Sequence, residues 1–168
     1  MKKQGFILFS AMISLAVFLV GCPYSSEIPL SSVNSKLNEG FTGKWELSGS
    51  PDNYLTVKKL SSGELSIVKH EPGYDGAEGT NTPYVGNLTE IKGVLFLSLR
   101  EDTEDTSYAT YYFYRINREG ANKIMVQQVT PNIDEKFTTG NEMATFFGNN
   151  MQHSFFYDAN DETYYKIE

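Results

Sequence analysis

Cysteine is nearly absent from this sequence, and basic residues are few. Among 168 residues the one Cys is Cys22, so neither an internal disulfide framework nor a Cys-rich zinc site can form. The chain has 14 Lys and Arg against 21 Asp and Glu, a formal charge of −7. This balance argues against a nucleic-acid-binding protein, which needs a basic face to displace counterions from phosphates. Aromatic residues are plentiful instead, with 11 Tyr and 11 Phe in a composition that is 40% hydrophobic and typical of a globular fold.

Recognisable catalytic motifs are absent as well. The chain has no nucleophile elbow, zinc-protease motif, Walker loop or dinucleotide fingerprint. His70 and His153 are far apart in sequence, and we interpret both as surface residues at strand ends. The acidic stretch 101–105 follows a predicted strand, and the stretch 158–162 has Thr163 where a calcium-binding EF-hand loop needs Gly, so we interpret the acidic residues as parts of solvated turns. The sequence therefore favours a non-enzymatic protein without a metal or cofactor.

The N-terminus has the pattern of a secretion signal. Lys2 and Lys3 precede an uncharged apolar run, residues 6–20. This run of about 15 residues is shorter than the roughly 20 that a membrane-spanning helix needs. The run ends in Leu19-Val20-Gly21-Cys22, which resembles the lipobox of bacterial lipoproteins.

This resemblance implies a lipid anchor. In bacterial lipoproteins the Cys receives a diacylglycerol, the leader is removed before it, and the new N-terminus is acylated, commonly with palmitate. Here Cys22 would become the anchored N-terminus and residues 1–21 the signal peptide, which makes the membrane the expected partner and the cell envelope the expected location. Because Pro23 rather than Asp follows the Cys, the resemblance implies the outer membrane if the host has one.

Residues 22–40 are predicted to tether the domain to its anchor. The stretch 23–38 contains two Pro and five Ser with few large apolar residues, which is a linker composition. Fully extended, it would reach about 50 Å at roughly 3.3 Å per residue. Loss of Lys2 and Lys3 with the leader makes the remaining chain more acidic, so repulsion from anionic headgroups favours a domain that stands off the membrane.

The domain, residues 41–168, is predicted to be mainly β. Short alternating runs rich in Tyr, Val, Ile and Phe are separated by Gly, Pro, Asn and Asp. The predicted strands cover 41–47, 54–60, 64–70, 84–91, 94–100, 108–116 and 123–129, followed by a hairpin of 153–158 and 163–167. One short helix over 140–149 is predicted from a capping box formed by Thr139 and Glu142. About eight or nine antiparallel strands with hairpin-length links indicate a barrel or half-barrel.

The start of the first strand, Gly43-Lys44-Trp45, resembles the Gly-x-Trp opening of lipocalin-like (calycin) barrels. In that family the Trp packs at the closed floor of the barrel, where a short helix and an Arg cover it. Arg115 and Arg118 are both candidates for that Arg, and the choice stays open. Another small barrel, in which Trp45 is simply the largest core residue, is the alternative.

The aromatic run 108–114 is the candidate for a binding site. Alternation places Tyr108, Tyr112 and Tyr114 on one face of a strand, and Tyr111 and Phe113 on the other. In a barrel, one face would line the interior and the other would pack against the helix. With Trp45, the inward tyrosines would line a cavity for a small hydrophobic ligand, unless the interior is a filled core.

Two non-enzymatic functions follow from this pattern. The first is a lipid-anchored barrel that binds a small hydrophobic ligand. The second is a protein-interaction module, such as an envelope-complex subunit or an inhibitor, that has a filled core and uses the long loop 71–83.

Overall fold

The structure is a computed structural model that describes residues 23–32, 34–73, 75, 77–104 and 109–168. The predicted signal peptide, Cys22 and Tyr108 lie outside the described residues. The described chain contains two α-helices, α1 (Ser35–Glu39) and α2 (Gly140–Asn150). Its strands are β1 (Ser25–Ser26), β2 (Gly43–Leu47), β3 (Ser50–Lys59), β4 (Leu65–Glu71), β5 (Thr80–Ile91), β6 (Val94–Glu101), β7 (Tyr111–Glu119), β8 (Lys123–Val129) and β9 (Tyr157–Lys166).

Strands β2 to β9 form a closed antiparallel barrel of eight strands. Each strand pairs with the next along the chain, and β9 pairs back onto β2, with Trp45 opposite Lys166. The predicted mainly-β barrel with one short helix near the C-terminus is therefore confirmed. The additional strand β1 lies outside the closed ring and pairs with the start of β7, where Ser25 is opposite Tyr112.

The two ends of the barrel differ. We call the end that contains α1 and the tight β3–β4, β5–β6 and β7–β8 turns the floor, and the opposite end the mouth. The longer β4–β5 and β6–β7 connections are at the mouth. At the floor, Gly43 has a φ of 129°, and a Cβ there would overlap the backbone carbonyl of Glu168. Only glycine suits this position, because its φ is unfavourable for other residues and the chain end passes directly against it.

The hydrophobic residues form two cores, one on each side of the β5–β6–β7 wall. The inner core lies inside the barrel and contains Phe41, Trp45, Val57, Leu65, Ile67, Leu88, Ile116, Ile124 and Tyr164. The outer core lies between the barrel wall, α2 and the N-terminal segment, and contains Tyr24, Leu30, Ile91, Phe96, Phe113, Val129, Ile133, Met143, Phe147, Met151, Phe156 and Tyr157. The alternation of β7 explains the division, because Phe113 points outward and Ile116 inward.

Phe147 of α2 is at the centre of the outer core. Its ring makes edge contacts with Phe96, Phe113 and Phe156 at centroid distances of 5.4, 5.6 and 5.0 Å. The helix begins with the predicted capping box, in which the Thr139 side chain accepts from the Glu142 amide and the Glu142 carboxylate accepts from the Thr139 amide. The predicted packing of one face of the aromatic run against the helix is thus confirmed.

The N-terminal segment is docked on the barrel rather than extended. Leu30 is 0% exposed and Tyr24 is 8% exposed, both in the outer core. The Leu30 amide donates to the Ser98 hydroxyl at 3.2 Å, and the Ser31 and Thr89 hydroxyls are 2.7 Å apart. The linker composition of residues 23–38 is therefore misleading for the described part of this stretch, because its polar side chains and amides pair with polar groups on the outer faces of β5 and β6.

The helix α1 closes the floor. Its predicted turn near residue 37 is present, and Asn38 is 0% exposed. The Asn38 side chain donates to the Gly63 carbonyl at 2.7 Å and accepts from the Leu88 amide at 3.2 Å. Since β4 pairs with β5 no further than Gly86, this side chain provides the bond that β5 lacks beyond the end of β4.

The predicted C-terminal hairpin is wrong. Residues 157–166 form the single strand β9, preceded by a short 3₁₀ turn, Ser154–Phe156. On one side β9 pairs with β8, with Asp161 opposite Gln127, and on the other side it pairs with β2. Closure of the barrel thus holds a turn-like sequence, residues 158–161, in an extended conformation.

Candidate functional site

The floor of the barrel is built around Trp45. The indole is 1% exposed, and its Nε1 donates to the Phe41 carbonyl at 2.9 Å. The Phe41 ring stacks beside it at a centroid distance of 6.5 Å, and the Lys166 ammonium lies 5.7 Å from the centroid of the indole ring. Trp45 is therefore a fixed part of the closed end of the barrel, as the lipocalin-like resemblance implies.

The structure distinguishes the two arginines that the sequence leaves open. The Arg118 guanidinium is at the floor, 5.3 Å from the centroid of the Phe41 ring, and its Nε donates to the Gly120 carbonyl at 2.8 Å. Arg115 is on the outer face of β7, 5.2 Å from the Tyr157 ring centroid. Arg118 thus covers the floor, but it stacks on Phe41, whereas Lys166 is the cation over Trp45.

Above the floor, the barrel interior contains a cavity of about 360 Å³. Its deeper wall is apolar and includes Phe41, Trp45, Leu55, Val57, Leu65, Ile67, Leu88, Leu97, Leu99, Ile116, Ile124 and Val126. Gly86 lets this wall pack closely, because a Cβ there would lie 2.9 Å from the Leu97 side chain and 3.2 Å from that of Ile67. The interior of the barrel therefore contains open space beside its packed side chains.

The upper wall of the cavity is polar. Alternate residues of β9, Asp158, Asn160 and Glu162, are exposed near the mouth and line the cavity. Lys69, Tyr84, Tyr114 and Gln128 line it from the neighbouring strands. This arrangement, an apolar chamber behind a polar entrance, is typical of sites for small amphipathic molecules.

Two hydrogen-bonded contacts order the polar wall. The Tyr164 hydroxyl donates to the Glu162 carboxylate at 2.7 Å. The Lys69 ammonium forms an ion pair with Glu71 at 2.9 Å. Lys69 is therefore ion-paired with Glu71 and not with a carboxylate of β9.

Burial of the tyrosines changes their acidity. It raises the pKa of Tyr114 to about 12, with smaller effects in the same direction from Tyr84, Glu162 and Tyr112. Burial and then the Glu162 carboxylate raise the pKa of Tyr164. Both phenols are therefore protonated at neutral pH. The Tyr164 hydroxyl uses its hydrogen in the bond to Glu162, so Tyr114 is the one of the two that can donate to a ligand.

For Lys69, burial and the neighbouring carboxylates change the pKa in opposite directions. Burial lowers the pKa of its ammonium, but the hydrogen bond and charge of Glu71, with a further contribution from Glu162, raise it overall. Lys69 is therefore charged at neutral pH and belongs to the ionic pattern of the entrance.

Two of the four binding residues proposed from the sequence line the cavity in the structure. Trp45 and Tyr114 line the cavity, from the floor and from β7 respectively. Tyr112 is half-buried on the same face of β7 as Tyr114 but nearer the mouth, and it is not among the lining residues. Tyr108 is outside the described residues. The sequence reasoning missed the row on β9, because the expected hairpin divided this strand, although the spacing of Asp158, Asn160 and Glu162 is a signal of one face.

The histidines occupy structural positions. The His70 ring stacks on Tyr54 at 4.2 Å and is 3.1 Å from the Thr56 hydroxyl, while His153 stacks on Phe155 at 5.0 Å. Within the described ranges, no group of three or more His, Cys, Asp or Glu side chains is arranged to hold a metal ion.

A second depression, of about 460 Å³, is more open than the interior cavity and lies outside the barrel between Leu30, Thr89 and α2.

Comparison of the chain with protein-family models, with curated proteins and with solved structures finds no match. The class is therefore defined by the fold itself, a closed antiparallel β-barrel consistent with the lipocalin-like type. In the part of the chain that the structure describes, no helix has the length and apolarity needed to cross a membrane.

Proposed function

We propose that the protein is a lipid-anchored lipoprotein of the cell envelope whose barrel binds a small amphipathic ligand. The observation that carries the ligand-binding part is the interior cavity of about 360 Å³, apolar at depth and polar at its entrance. The anchor rests on the sequence around Cys22, with the outer membrane as the proposed location if the host has one. The barrel is proposed to act without catalysis or a cofactor.

The size of the cavity supports this function. Ligand pockets commonly measure about 300–1,000 Å³. Engineered cavities of about 150 Å³ in apolar cores already bind benzene. A cavity of about 360 Å³ therefore has room for an aliphatic chain or a two-ring molecule. A filled-core interaction module does not need such a space, so the cavity favours ligand binding over that alternative.

A series of alcohols with increasing chain length tests the cavity. Each buried methylene contributes about 0.8 kcal/mol, which corresponds to a roughly fourfold decrease in Kd. We expect the affinity of residues 23–168, measured by calorimetry, to increase by about this factor per methylene until the cavity is full. A flat series, or an increase that continues without limit, would contradict binding in a chamber of limited size.

Two matched variants locate the binding. Val126 and Val68 are both half-buried, but Val126 lines the cavity, whereas Val68 is adjacent to the lining residue Ile67 and faces outward. We expect Val126→Phe to weaken binding of the longest alcohol by at least about tenfold, because the larger ring occupies the chamber, and Val68→Phe to retain it. Thermal unfolding of both variants shows whether the barrel is intact. Equal binding by the two folded variants would place the ligand elsewhere.

The anchor has a separate test. We expect Cys22→Ala to abolish fatty-acid labelling and to leave an uncleaved or soluble form in the producing bacterium. Labelling that persists in this variant would contradict acylation at Cys22, since the chain contains no other Cys. Fractionation of the wild-type protein between inner and outer membranes tests the proposed location.

A further inference from the structure

Charge is distributed unevenly along the barrel axis. Carboxylates are concentrated at the mouth, on strand ends, on connecting loops and on the polar wall of the cavity: Glu71, Asp75, Glu78, Glu101, Asp102, Glu104, Asp158 and Glu162. Basic side chains are concentrated at the floor: Lys36, Lys59, Lys92, Arg118, Lys123 and Lys166. There they largely balance the floor carboxylates Glu39, Glu64, Glu90 and Glu119, and Lys59 and Lys123 are ion-paired with Glu39 and Glu119. The entrance to the cavity is thus the negative end of the molecule.

The cations near the mouth do not reverse this sign. Lys69 is the one basic residue among those that line the cavity, and it is ion-paired with Glu71 at 2.9 Å. Arg100 is on the outer face of β6, and its guanidinium donates to the Glu101 carbonyl at 3.2 Å. Among the described residues, neither Asp158 nor Glu162 has a Lys or Arg partner within salt-bridge distance. The acidic wall therefore keeps its charge toward the entrance.

The carboxylates of Asp158 and Glu162 lie where the head group of a bound ligand would be. Asp158 and Glu162 project from the strand that also contributes Tyr164 to the cavity wall, and Tyr84 and Tyr114 line the same cavity from β5 and β7. A cleft with low-dielectric walls and charge of one sign concentrates ions of the opposite sign. The lining tyrosines add aromatic rings, which attract cations where a ring face is presented. A positively charged head group would therefore meet carboxylates and aromatic faces at the entrance while its apolar part occupies the chamber.

Resting on the proposed ligand-binding function, we propose that the cavity selects cationic amphiphiles, molecules with an aliphatic or aromatic body and an ammonium-type head. An anionic amphiphile of the same body, such as a fatty acid, is disfavoured because its head would be held among the carboxylates of the mouth. The apolar wall provides affinity that is independent of charge, and the acidic wall provides the discrimination.

Three ligands with the same ten-carbon chain separate these contributions. Decylammonium, decanol and decanoate are titrated into residues 23–168, which contain every described element of the fold. At low ionic strength we expect decylammonium to bind about tenfold more tightly than decanol, and decanoate to bind about tenfold more weakly. Raising the salt concentration to about 0.5 M is expected to reduce these differences, because the mouth carboxylates are exposed and therefore screened.

Variants at the mouth test the source of the preference. Glu162→Gln keeps an acceptor for the Tyr164 hydroxyl but removes the charge, and Asp158→Asn removes the second charge. Each variant is expected to reduce the ratio of the decylammonium affinity to the decanoate affinity by about threefold to tenfold, with little change in the affinity for decanol. The control is Glu90→Gln, which removes a carboxylate that is also exposed but lies at the floor end of β5, and it is expected to leave the affinity ratio unchanged.

The outcomes distinguish the two proposals. If none of the three ligands binds, the ligand-binding function itself is wrong. If decanol binds and decanoate binds at least as tightly as decylammonium, the cavity is a ligand site but the cationic preference is wrong. A decylammonium preference that Glu162→Gln and Asp158→Asn leave unchanged would also overturn the assignment of that preference to the acidic wall.

Discussion

Replacing Leu30 with Ala tests whether the N-terminal segment is part of the folded domain. The Leu30 side chain is 0% exposed within the outer core, and its amide donates to Ser98. Removing a fully buried leucine side chain costs about 2–5 kcal/mol, since transfer energy is lost and a cavity remains. We therefore expect the free energy of unfolding to decrease by about 3 kcal/mol. For a domain of this size, that corresponds to a decrease in Tm of roughly 6–12 °C.

Urea denaturation followed by Trp45 fluorescence measures this effect. Trp45 belongs to the inner core, so a change in its transition shows that loss of the segment destabilises the whole barrel. The matched control is Leu60→Ala, because Leu60 is 37% exposed at the β3–β4 turn, and we expect it to cost under about 1 kcal/mol. If Leu30→Ala is no more destabilising than the control, the segment is a loose linker, as its composition suggests, and the docking is wrong.

Three further variants test other parts of the structure. Phe147→Ala should lower the free energy of unfolding by about 3–5 kcal/mol, whereas Phe155→Ala, at a ring that is 63% exposed, should change it little in the same urea assay. Thr139→Ala removes the N-cap of α2 and should cost about 1 kcal/mol, with circular dichroism showing whether the helix persists. Because the folded state raises the pKa of Tyr114 from 10.0 to about 12, wild-type stability should decrease as pH rises through that interval, and Tyr114→Phe should show a smaller decrease. An unchanged pH dependence in that variant would contradict the burial of the phenol.

Local signals in the sequence predicted much of the fold. The capping box of Thr139 and Glu142 marks the start of α2, because it consists of contacts within four residues of the chain. The alternation of Phe113 and Tyr114 predicts two differently packed faces of β7, and the structure places one in the outer core and the other at the cavity. The lipocalin-like resemblance predicts Trp45 at the floor, and the alternation of the aromatic run predicts Tyr114 on a face that lines the interior.

Features that depend on distant partners were not predictable in the same way. The residues 158–161 have turn composition, but β8 and β2 hold β9 extended from both sides, so the row of polar side chains at the mouth was missed. The N-terminal segment has the polar composition of a linker, but its polar groups bond to Thr89 and Ser98 on the barrel instead of to water. In each case, local composition shows which backbone conformations a segment can adopt. The partner with which it pairs, many residues away in sequence, decides which of them it does adopt.

The two cores explain how a small barrel can remain partly hollow. A barrel of eight strands is commonly stabilised by side chains that fill its interior. In this protein, Phe96, Phe113 and Phe147 are 0% exposed outside the barrel wall, so a large part of the apolar burial comes from α2 and the N-terminal segment. The interior is then free to keep an apolar chamber above Trp45 without losing the whole of the hydrophobic stabilisation. On this reasoning, Val126→Phe, which occupies the chamber, should leave the barrel folded while weakening binding, whereas Phe147→Ala should destabilise the barrel although it does not touch the chamber.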